Sequence, residues 1–293
     1  MLNTETPNRQ HADLDLYPID ELVNAFIDDQ GQAVGAVRAA SRQIAAAVTA
    51  AVPRIAAGGR IIYVGAGTSG RLGLLDSVEL YPTFSWPRER SLALLAGGAS
   101  AMYEAVEGAE DDREQGAVDL LALGVGALDV VFLLAASGAT PYVMGALQAA
   151  RAAGALTVGL CNNPQTPLAL AAEVGITLDT GQEVISGSTR LKAGTSQKIA
   201  LNTLSSAIMV RLHKVHGNLM VDLKPTNAKL IRRAITLTML VTGADEDTAR
   251  RILEASGFQV KVAIVAISRQ ISVDAAQTRL ASVNGSVRRA IAD

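Results

Sequence analysis

The sequence reads IIYVGAGTSGR from Ile61 to Arg71: an apolar run stops at a glycine-rich turn, and a helical pattern follows. Glycine lets the backbone approach a ligand closely, and the first amides of a helix have no acceptor within that helix. The helix dipole adds partial positive charge there, and the hydroxyls of Thr68 and Ser69 can donate as well. We therefore expect a phosphate site at Gly67, Thr68 and Ser69. The alternative is a tight turn whose hydroxyls only cap the helix.

A nucleotide is not favoured as the ligand of this turn. The turn lacks the Gly-Lys-Ser/Thr ending of a nucleotide P-loop, and its spacing gives no third glycine of a dinucleotide fingerprint. The formal net charge of the chain is -2, and its basic residues form no cluster beyond short pairs such as Arg232-Arg233 and Arg250-Arg251. Nucleic acid and an anionic membrane surface are therefore not expected as partners.

Cysteine and histidine are scarce. The chain has one cysteine, Cys161, and three histidines, which argues against a disulfide framework and a cysteine- or histidine-rich metal site. His213 and His216 are expected on one long helix, where two histidines without a third ligand make a weak metal site. The polar N-terminal residues do not resemble a signal peptide, and no apolar run approaches membrane-spanning length. We expect a cytoplasmic protein without a bound metal or a membrane anchor.

Five short apolar runs bounded by glycine follow residue 60, with helical patterns between most of them. The runs cover 60–64, 91–96, 129–135, 155–160 and 173–178. Strands buried on both faces read as continuous apolar runs, so we predict an α/β fold with a doubly wound, mainly parallel five-stranded sheet. Such a sheet binds ligands at the carboxyl ends of its strands. The predicted regions are an N-terminal arm with helices (1–57), the α/β domain (58–218) and a small C-terminal helical region (219–293).

A second hydroxyl-bearing turn follows the third predicted strand. It reads SGATP from Ser137 to Pro141 and leads into another helical pattern. Thr140 suits the N-cap and Pro141 the first helical position, so the turn could serve the helix alone. Because the ends of neighbouring parallel strands share one edge of a sheet, we expect Ser137, Gly138 and Thr140 to bind the same phosphate from a second side.

Acidic residues stand near the ends of two predicted helices. The helix after the glycine-rich turn is expected to stop before 81–84, a segment that contains a proline, which leaves Glu79 at its end. A second helix is expected over 99–109, and Glu110 follows it. Most surface glutamates are solvated charges, so spacing alone does not choose a catalytic pair.

Several short sequence motifs, in a characteristic order, are shared with one known family. They are Gly65-Ala-Gly-Thr-Ser-Gly-Arg-Leu-Gly73, Pro82-Thr-Phe84, Ala96-Gly-Gly98, Ala105-Val-Glu-Gly-Ala-Glu-Asp111, Ala136-Ser-Gly138 with Thr140-Pro-Tyr142, Gly187-Ser-Thr-Arg-Leu-Lys192 with Gly194-Thr195 and Gln197-Lys198, and Asn218-Leu-Met-Val-Asp222. On these words the chain resembles the N-acetylmuramic acid 6-phosphate etherases, bacterial members of the sugar isomerase (SIS) domain superfamily. The words span most of the chain, whereas the Gly-Thr-Ser-Gly turn alone would indicate only the superfamily.

The resemblance implies roles for particular residues. Glu79 would be the acid that protonates the leaving oxygen and Glu110 the base, while the neighbouring Glu107 has no assigned role. The two turns would bind the phosphate. A second signature would line the site through Ser188, Arg190, Lys192 and Lys198. The resemblance also implies a homodimer with its sites near the subunit interface, an amino-sugar phosphate as the ligand, and no cofactor.

The implied reaction cleaves the D-lactyl ether of N-acetylmuramic acid 6-phosphate by elimination of lactate and addition of water, in the recycling of peptidoglycan amino sugars. In the ring-opened sugar the C2 proton is α to the C1 aldehyde and the ether at C3 is β to it, so two proton-transfer groups could suffice. An alternative is an aldose-ketose sugar phosphate isomerase, which releases no lactate. Another is a non-catalytic sugar phosphate sensor resembling the glucokinase regulatory protein, which carries two SIS domains where this chain has room for one.

The chain departs from the family pattern at two places. The family opens with Thr-Glu-x-Arg-Asn, and here Thr4-Glu5 is followed by Pro7 in place of the arginine. Leu80-Tyr81 stand where the family often has a cysteine or another small residue. The first departure concerns the docking of the N-terminal arm and the second the packing around the proposed acid; neither removes a carboxylate.

Overall fold

The computed structural model describes residues 2–223, 225 and 227–292. The chain divides into two compact units. The first, the sheet unit, contains the residues up to Val78 together with Arg88–Ser206; the second, the helical unit, contains Glu79–Pro87 and the residues from Ala207 onward. The region boundaries at 57/58 and 218/219 stay a prediction.

The sheet has five parallel strands, as the apolar runs predict. They are β1 (Ile61–Gly65), β2 (Ser91–Leu95), β3 (Val130–Leu134), β4 (Leu156–Cys161) and β5 (Val174–Thr177), in the order β2-β1-β3-β4-β5. All residues of β1, β3 and β4 are buried, whereas β2, at one edge, is half-buried along most of its length. Burial on both faces explains the continuous apolar runs, and the predicted fold class is confirmed.

Helices cover both faces of this sheet. They are α1 (Ile19–Ala39), α2 (Ser41–Ala56), α3 (Gly67–Phe84), α4 (Arg113–Ala122), α5 (Pro141–Ala152), α6 (Pro167–Ala171) and α7 (Lys192–Arg211). On one face Ile62 and Val64 pack in a cluster with Val143 of α5. On the other face the hydroxyl of Tyr63 donates to Asp76 of α3 over 2.7 Å. Alternate residues of one strand therefore meet helices on opposite sides, which makes the sheet doubly wound.

The expectation that α3 ends before its proline is wrong. The helix continues through Pro82 to Phe84, so Glu79 lies inside it. Pro82 has no N–H to donate to the carbonyl oxygen of Val78, so the helix loses one hydrogen bond there and still continues for two residues.

The prediction of a helix over 99–109 is also wrong. Two short 3-10 turns cover Gly98–Met102 and Ala109–Asp111 instead. Gly97 and Gly108, which precede these turns, have φ of 86° and 74°. Left-handed backbone of this kind interrupts an α-helix, and glycine adopts it without a steric penalty. Glu110 therefore sits in a tight turn rather than just past a helix.

Most of the helical unit lies after α7 in the sequence. A short antiparallel hairpin of β6 (Val215–His216) and β7 (Leu219–Met220) is followed by α8 (Ala228–Thr242), α9 (Glu246–Ala255), α10 (Val260–Arg269), α11 (Val273–Ser282) and α12 (Val287–Ile291). The core of the unit is built around α10, where Ala263, Ile264 and Val265 are fully buried. The C-terminal helical region is thus confirmed, and the hairpin was not foreseen.

The hairpin corrects the placement of two histidines. Because α7 ends at Arg211, His213 and His216 lie beyond it and do not share a helix. His213 has a φ of 61°, and His216 belongs to β6. Burial and nearby cationic side chains lower the pKa of both imidazoles, which favours their neutral form.

Candidate functional site

The glycine-rich turn brings the end of β1 against the first turn of α3. A Cβ added to Gly65 would lie 2.7 Å from Cα of Gly70, and one added to Gly70 would lie 2.6 Å from the carbonyl oxygen of Gly65. Glycine at both positions is what permits this contact. The first helical bond runs from Gly70 N to Ala66 O, so the amides of Gly67, Thr68 and Ser69 precede the hydrogen-bonded part of the helix. These amides can meet an anion, as the sequence predicts.

The space beside these amides is open at Gly67. Its φ is +52°, and a Cβ added there would meet no heavy atom within 4 Å among the described residues. The glycine is therefore required by the backbone conformation rather than by internal packing. Thr68 is half-buried and Ser69 is 8% exposed. A ligand could reach this backbone without displacing a side chain.

The second turn lies beside the first. Gly65 and Leu134 are register partners on the neighbouring parallel strands β1 and β3, so both turns leave the sheet at one level of its carboxyl edge. The hydroxyl oxygens of Ser137 and Thr140 are 3.4 Å apart, and no side-chain bond from Thr140 caps the described part of α5. The two hydroxyls therefore form a pair at the sheet edge, and Pro141 supplies the start of the helix.

Gly138 holds this turn against α6. Its φ is +69°, and a Cβ added there would lie 2.2 Å from Oγ1 of Thr166, which caps α6. Any side chain at this position would collide with that residue. The glycine thus lets the turn pass tightly over the neighbouring loop.

The start of α7 lies against the first turn, but its own amides are occupied. A Cβ added to Gly194 would be 3.4 Å from Cγ2 of Thr68. The carboxylate of Glu183, which is fully buried, accepts from the amides of Lys192 at 3.1 Å and Ala193 at 2.9 Å. Burial raises the pKa of Glu183, although the two backbone bonds favour its charged form. The anion site of α7 is therefore filled by the protein itself.

Lys192, one of the predicted site residues, lies in a buried ion pair. Its Nζ is 2.7 Å from Oδ1 of Asp29 on α1, and both side chains are 3% exposed. Gln32 accepts a further bond from the same nitrogen at 3.1 Å. The other oxygen of Asp29 accepts from the amide of Val184 at 3.4 Å. The ammonium group therefore ties α1 to the start of α7 instead of standing open to a ligand.

The other residues of the second signature are more accessible. Ser188 is half-buried and Arg190 is exposed, both in the loop before α7. Lys198 is half-buried on α7, where its Nζ donates to Asn202 one turn later. These three side chains are at least partly exposed to solvent, whereas that of Lys192 is buried.

The two predicted catalytic carboxylates are both exposed. Glu110 lies in the 3-10 turn Ala109–Asp111 of the sheet unit, and Glu79 lies on the part of α3 that belongs to the helical unit. Glu107 is exposed as well. Solvent access suits groups that exchange protons with a bound sugar and with water.

Sequence reasoning missed the buried polar residues that support this site. Four buried residues, each at most 4% exposed, are hydrogen-bonded to the segments that carry the predicted site residues. They are Asp29, Glu183, Thr4 and Asn163. A usable signal existed for two of them, since Asn163 is the second residue after the end of β4 and Thr4 belongs to the opening motif shared with the family. Asp29 and Glu183 stand in segments whose apolar periodicity says nothing about distant polar partners.

Neither a metal cluster nor a membrane span is found in the described part of the chain. No group of three or more His, Cys, Asp or Glu side chains is arranged there to hold a metal ion. None of the helices in residues 2–223, 225 and 227–292 is long and apolar enough to cross a membrane.

The fold and the two turns define a class of protein. The SIS domain family matches residues 112–207, and the glucokinase regulatory protein N-terminal SIS domain matches residues 43–151. A phosphoheptose isomerase from Francisella tularensis has the same fold, with a TM-score of 0.50 and 17% identity over 66% of this chain and 100% of that one. The chain is therefore a SIS-domain protein.

Relatives of much higher identity define the family within this class. N-acetylmuramic acid 6-phosphate etherases from Deinococcus radiodurans and Mycolicibacterium smegmatis are 55% and 47% identical to it over 99% of this chain, and over 95% and 97% of their own lengths. The etherase from Pectobacterium atrosepticum is 47% identical over 99% of this chain and 96% of its own. The chain belongs to the N-acetylmuramic acid 6-phosphate etherase family.

Proposed function

We propose that this chain is a carbon-oxygen lyase that converts N-acetylmuramic acid 6-phosphate into N-acetylglucosamine 6-phosphate and D-lactate, in the recycling of peptidoglycan amino sugars. The observation that carries this function is its 55% identity, over 99% of its length, to a protein of that name. The paired turns at the sheet edge support it, because they offer open amides and hydroxyls to the phosphate group of such a substrate.

The phosphate would be bound far from the bond that breaks. The amides of Gly67, Thr68 and Ser69 and the hydroxyls of Ser137 and Thr140 suit a dianion, because helix dipoles and N–H and O–H donors converge there. Holding a remote group orients the reacting carbons, and such positioning removes much of the entropic part of a barrier. Ser188, Arg190 and Lys198 would complete the pocket around the sugar.

The reaction itself would need two proton transfers. Glu110 would remove the C2 proton of the ring-opened sugar, and the electron pair would move toward the C1 aldehyde as an enolate. The C3–oxygen bond to lactate would then break, with Glu79 protonating the departing oxygen. Addition of water across the C2–C3 double bond places hydroxyl on C3 and hydrogen on C2. A positioned acid or base of this kind typically contributes about a hundredfold to ten-thousandfold in rate.

Lys192 would serve this site without touching the substrate. Its ammonium group is committed to Asp29 and Gln32, and its backbone amide to Glu183. We infer that it acts by fixing the start of α7, which lies against Thr68.

We also propose a homodimer that works in the cytoplasm. Four apolar side chains on one face of α1 are exposed, and a surface of this kind favours association. They are Ile19, Val23, Ile27 and Val34. Light scattering should give twice the 30.4 kDa chain mass, and Ile19→Glu with Ile27→Glu should give monomers. The buried free thiol of Cys161 suits a reducing compartment.

Turnover in oxygen-labelled water tests the proposed reaction directly. Elimination followed by addition of water puts the label on C3 of N-acetylglucosamine 6-phosphate and none in lactate. Label in lactate would mean displacement at the lactyl carbon and would contradict the proposal. A ketose product without lactate would indicate an isomerase, and binding without turnover would indicate a sensor.

A further inference from the structure

Thr4 of the N-terminal arm is fully buried and uses three polar groups on two distant segments. Its amide donates to Oδ1 of Asn163 at 3.2 Å, and its hydroxyl accepts from Nδ2 of the same residue at 2.9 Å. Its carbonyl oxygen accepts from the amide of Gly187 at 3.2 Å. The pairing with Asn163 is reciprocal, so the two residues fix each other's orientation.

Asn163 carries this connection to the second phosphate turn. Its Nδ2 also donates to the carbonyl oxygen of Ala136 at 2.9 Å, and Ala136 directly precedes Ser137. Asn163 is 1% exposed, and both N–H groups of its side-chain amide donate hydrogen bonds. A continuous series of hydrogen bonds thus runs from the Ser137 turn through Asn163 and Thr4 to Gly187.

The far end of this series is the loop that carries Ser188 and Arg190. Gly187 has a φ of +78°, and a Cβ added there would lie 3.2 Å from Oε2 of Glu5. A second bond joins the same segments, since the amide of Asn8 donates to the hydroxyl of Ser186 at 2.9 Å. The arm therefore lies between two segments that the proposed function assigns to the substrate.

We propose that Thr4 and Asn163 are positioning residues that set the spacing between the Ser137 turn and the loop bearing Ser188 and Arg190. Neither residue needs to touch the substrate. The hydrogen-bonded pair of Thr4 and Asn163 fixes the backbone on both sides of the sugar phosphate. Its loss therefore weakens substrate binding more than it slows proton transfer. The inference rests on the proposed function, because its main readout is release of lactate.

Thr4→Val tests the pair with little change of shape. The variant keeps both backbone bonds and removes only the hydroxyl that accepts from Asn163. We expect the KM for N-acetylmuramic acid 6-phosphate to rise about tenfold or more, with kcat changed by less than about threefold. Thr4→Ser restores the hydroxyl and should bring KM back toward the parental value.

Thr6→Val is the matched control within the same arm. The hydroxyl of Thr6 donates to the carbonyl oxygen of Leu2, inside the arm, and is only part-buried. Its removal should leave KM unchanged. Calorimetry with N-acetylglucosamine 6-phosphate measures the same effect without turnover, and the dissociation constant should rise in Thr4→Val by a factor similar to that of KM.

Asn163→Asp supplies an independent second variant. A carboxylate cannot donate to Ala136 or to Thr4, so the connection fails at its middle. If the two residues act as one unit, Thr4→Val combined with Asn163→Asp raises KM no further than Asn163→Asp alone.

The outcomes separate this inference from the proposed function. A parental chain that releases no lactate contradicts the proposed function. If the parental chain is active, the positioning role is contradicted when folded Thr4→Val has the parental KM and the parental affinity for the product. It is also contradicted when the effects of Thr4→Val and Asn163→Asp on KM multiply in full in the double variant. A Thr4→Ser variant as impaired as Thr4→Val would contradict it too.

Discussion

The helices α3 and α7 both begin in the sheet unit, with Gly194 of α7 against Thr68 of α3, yet their first amides meet different partners. At α7 the buried carboxylate of Glu183 accepts from two amides, and Lys192 and Asp29 neutralise each other next to it. At α3 the chain places glycine and hydroxyl groups, and the space at Gly67 is open. We therefore expect the start of α3, and not that of α7, to bind an anionic ligand.

Thr68→Asp should make the start of α3 similar to that of α7, because it places a carboxylate of the protein beside the first amides of α3. A negative charge about 4 Å from a bound phosphate repels it by about 4 kcal/mol at an effective dielectric constant near 20, which predicts at least a hundredfold rise in KM. An acidic residue in a first helical turn does not destabilise that helix, so the chain should stay folded. The uncharged Thr68→Asn is the matched control, and the effect is measured as KM for N-acetylmuramic acid 6-phosphate. Equal KM values for the two variants would remove α3 as the phosphate site.

Lys192→Met tests the other half of the comparison. Removal of the ammonium leaves Asp29 buried without its partner, and breaking a buried pair in this way costs about 3–5 kcal/mol of unfolding free energy. Lys198→Met removes an ammonium group that is half-buried and donates to Asn202, and should cost less than about 1 kcal/mol. Urea denaturation measures both. A Lys192→Met protein of parental stability with a raised KM would show that Lys192 binds substrate directly.

Ser137→Ala sharpens the account of the second turn. A hydroxyl that donates to a charged group contributes about 1.5–3 kcal/mol, so KM should rise by about tenfold to a hundredfold. Ser100→Ala removes an exposed hydroxyl that donates to Gly97 and should leave KM at its parental value. If the two variants behave alike, Ser137 serves only its own turn.

We expect Glu183 to make a smaller contribution to the free energy of unfolding, and one that depends on pH. Burial raises its pKa above the ordinary 4.5, so the folded protein holds this proton at a pH where the unfolded chain has lost it. Its contribution to stability is therefore fully present below the ordinary pKa and is lost as the pH rises through the raised value. Urea midpoints of Glu183→Gln should lack this decline relative to the parental chain. Parallel pH profiles of the two proteins would mean that Glu183 titrates normally.

The sheet could be predicted because its signal is local. Runs such as 129–135 are apolar throughout, and burial on both faces is the usual reason for that pattern. The turns at Gly67 and Gly138 could be predicted for a similar reason, since glycine at the end of an apolar run is a local signal of a turn, whereas their binding of phosphate stays a prediction. The predicted end of α3 was wrong because a proline inside a helix removes one hydrogen bond without always ending the helix. The predicted helix over 99–109 was wrong because helical spacing of apolar residues does not show which glycines adopt a left-handed backbone.

The supporting polar contacts could not be predicted, because they join residues that are far apart in the sequence. Thr4 meets Asn163 across 159 positions, and Lys192 meets Asp29 across 163. A lysine in a motif shared with the family is predicted to bind a ligand as long as its buried partner, here Asp29, is unknown. The family resemblance supplied the roles of Glu79 and Glu110, which spacing among many surface carboxylates could not.

Exchange of the C2 hydrogen in deuterated water, followed by proton NMR together with lactate release, tests the central claim that two carboxylates divide an elimination between them. Glu110→Ala should show neither exchange nor lactate, whereas Glu79→Ala should retain some exchange and release little lactate. Parental rates of lactate release in both variants would contradict the assignment of base and acid.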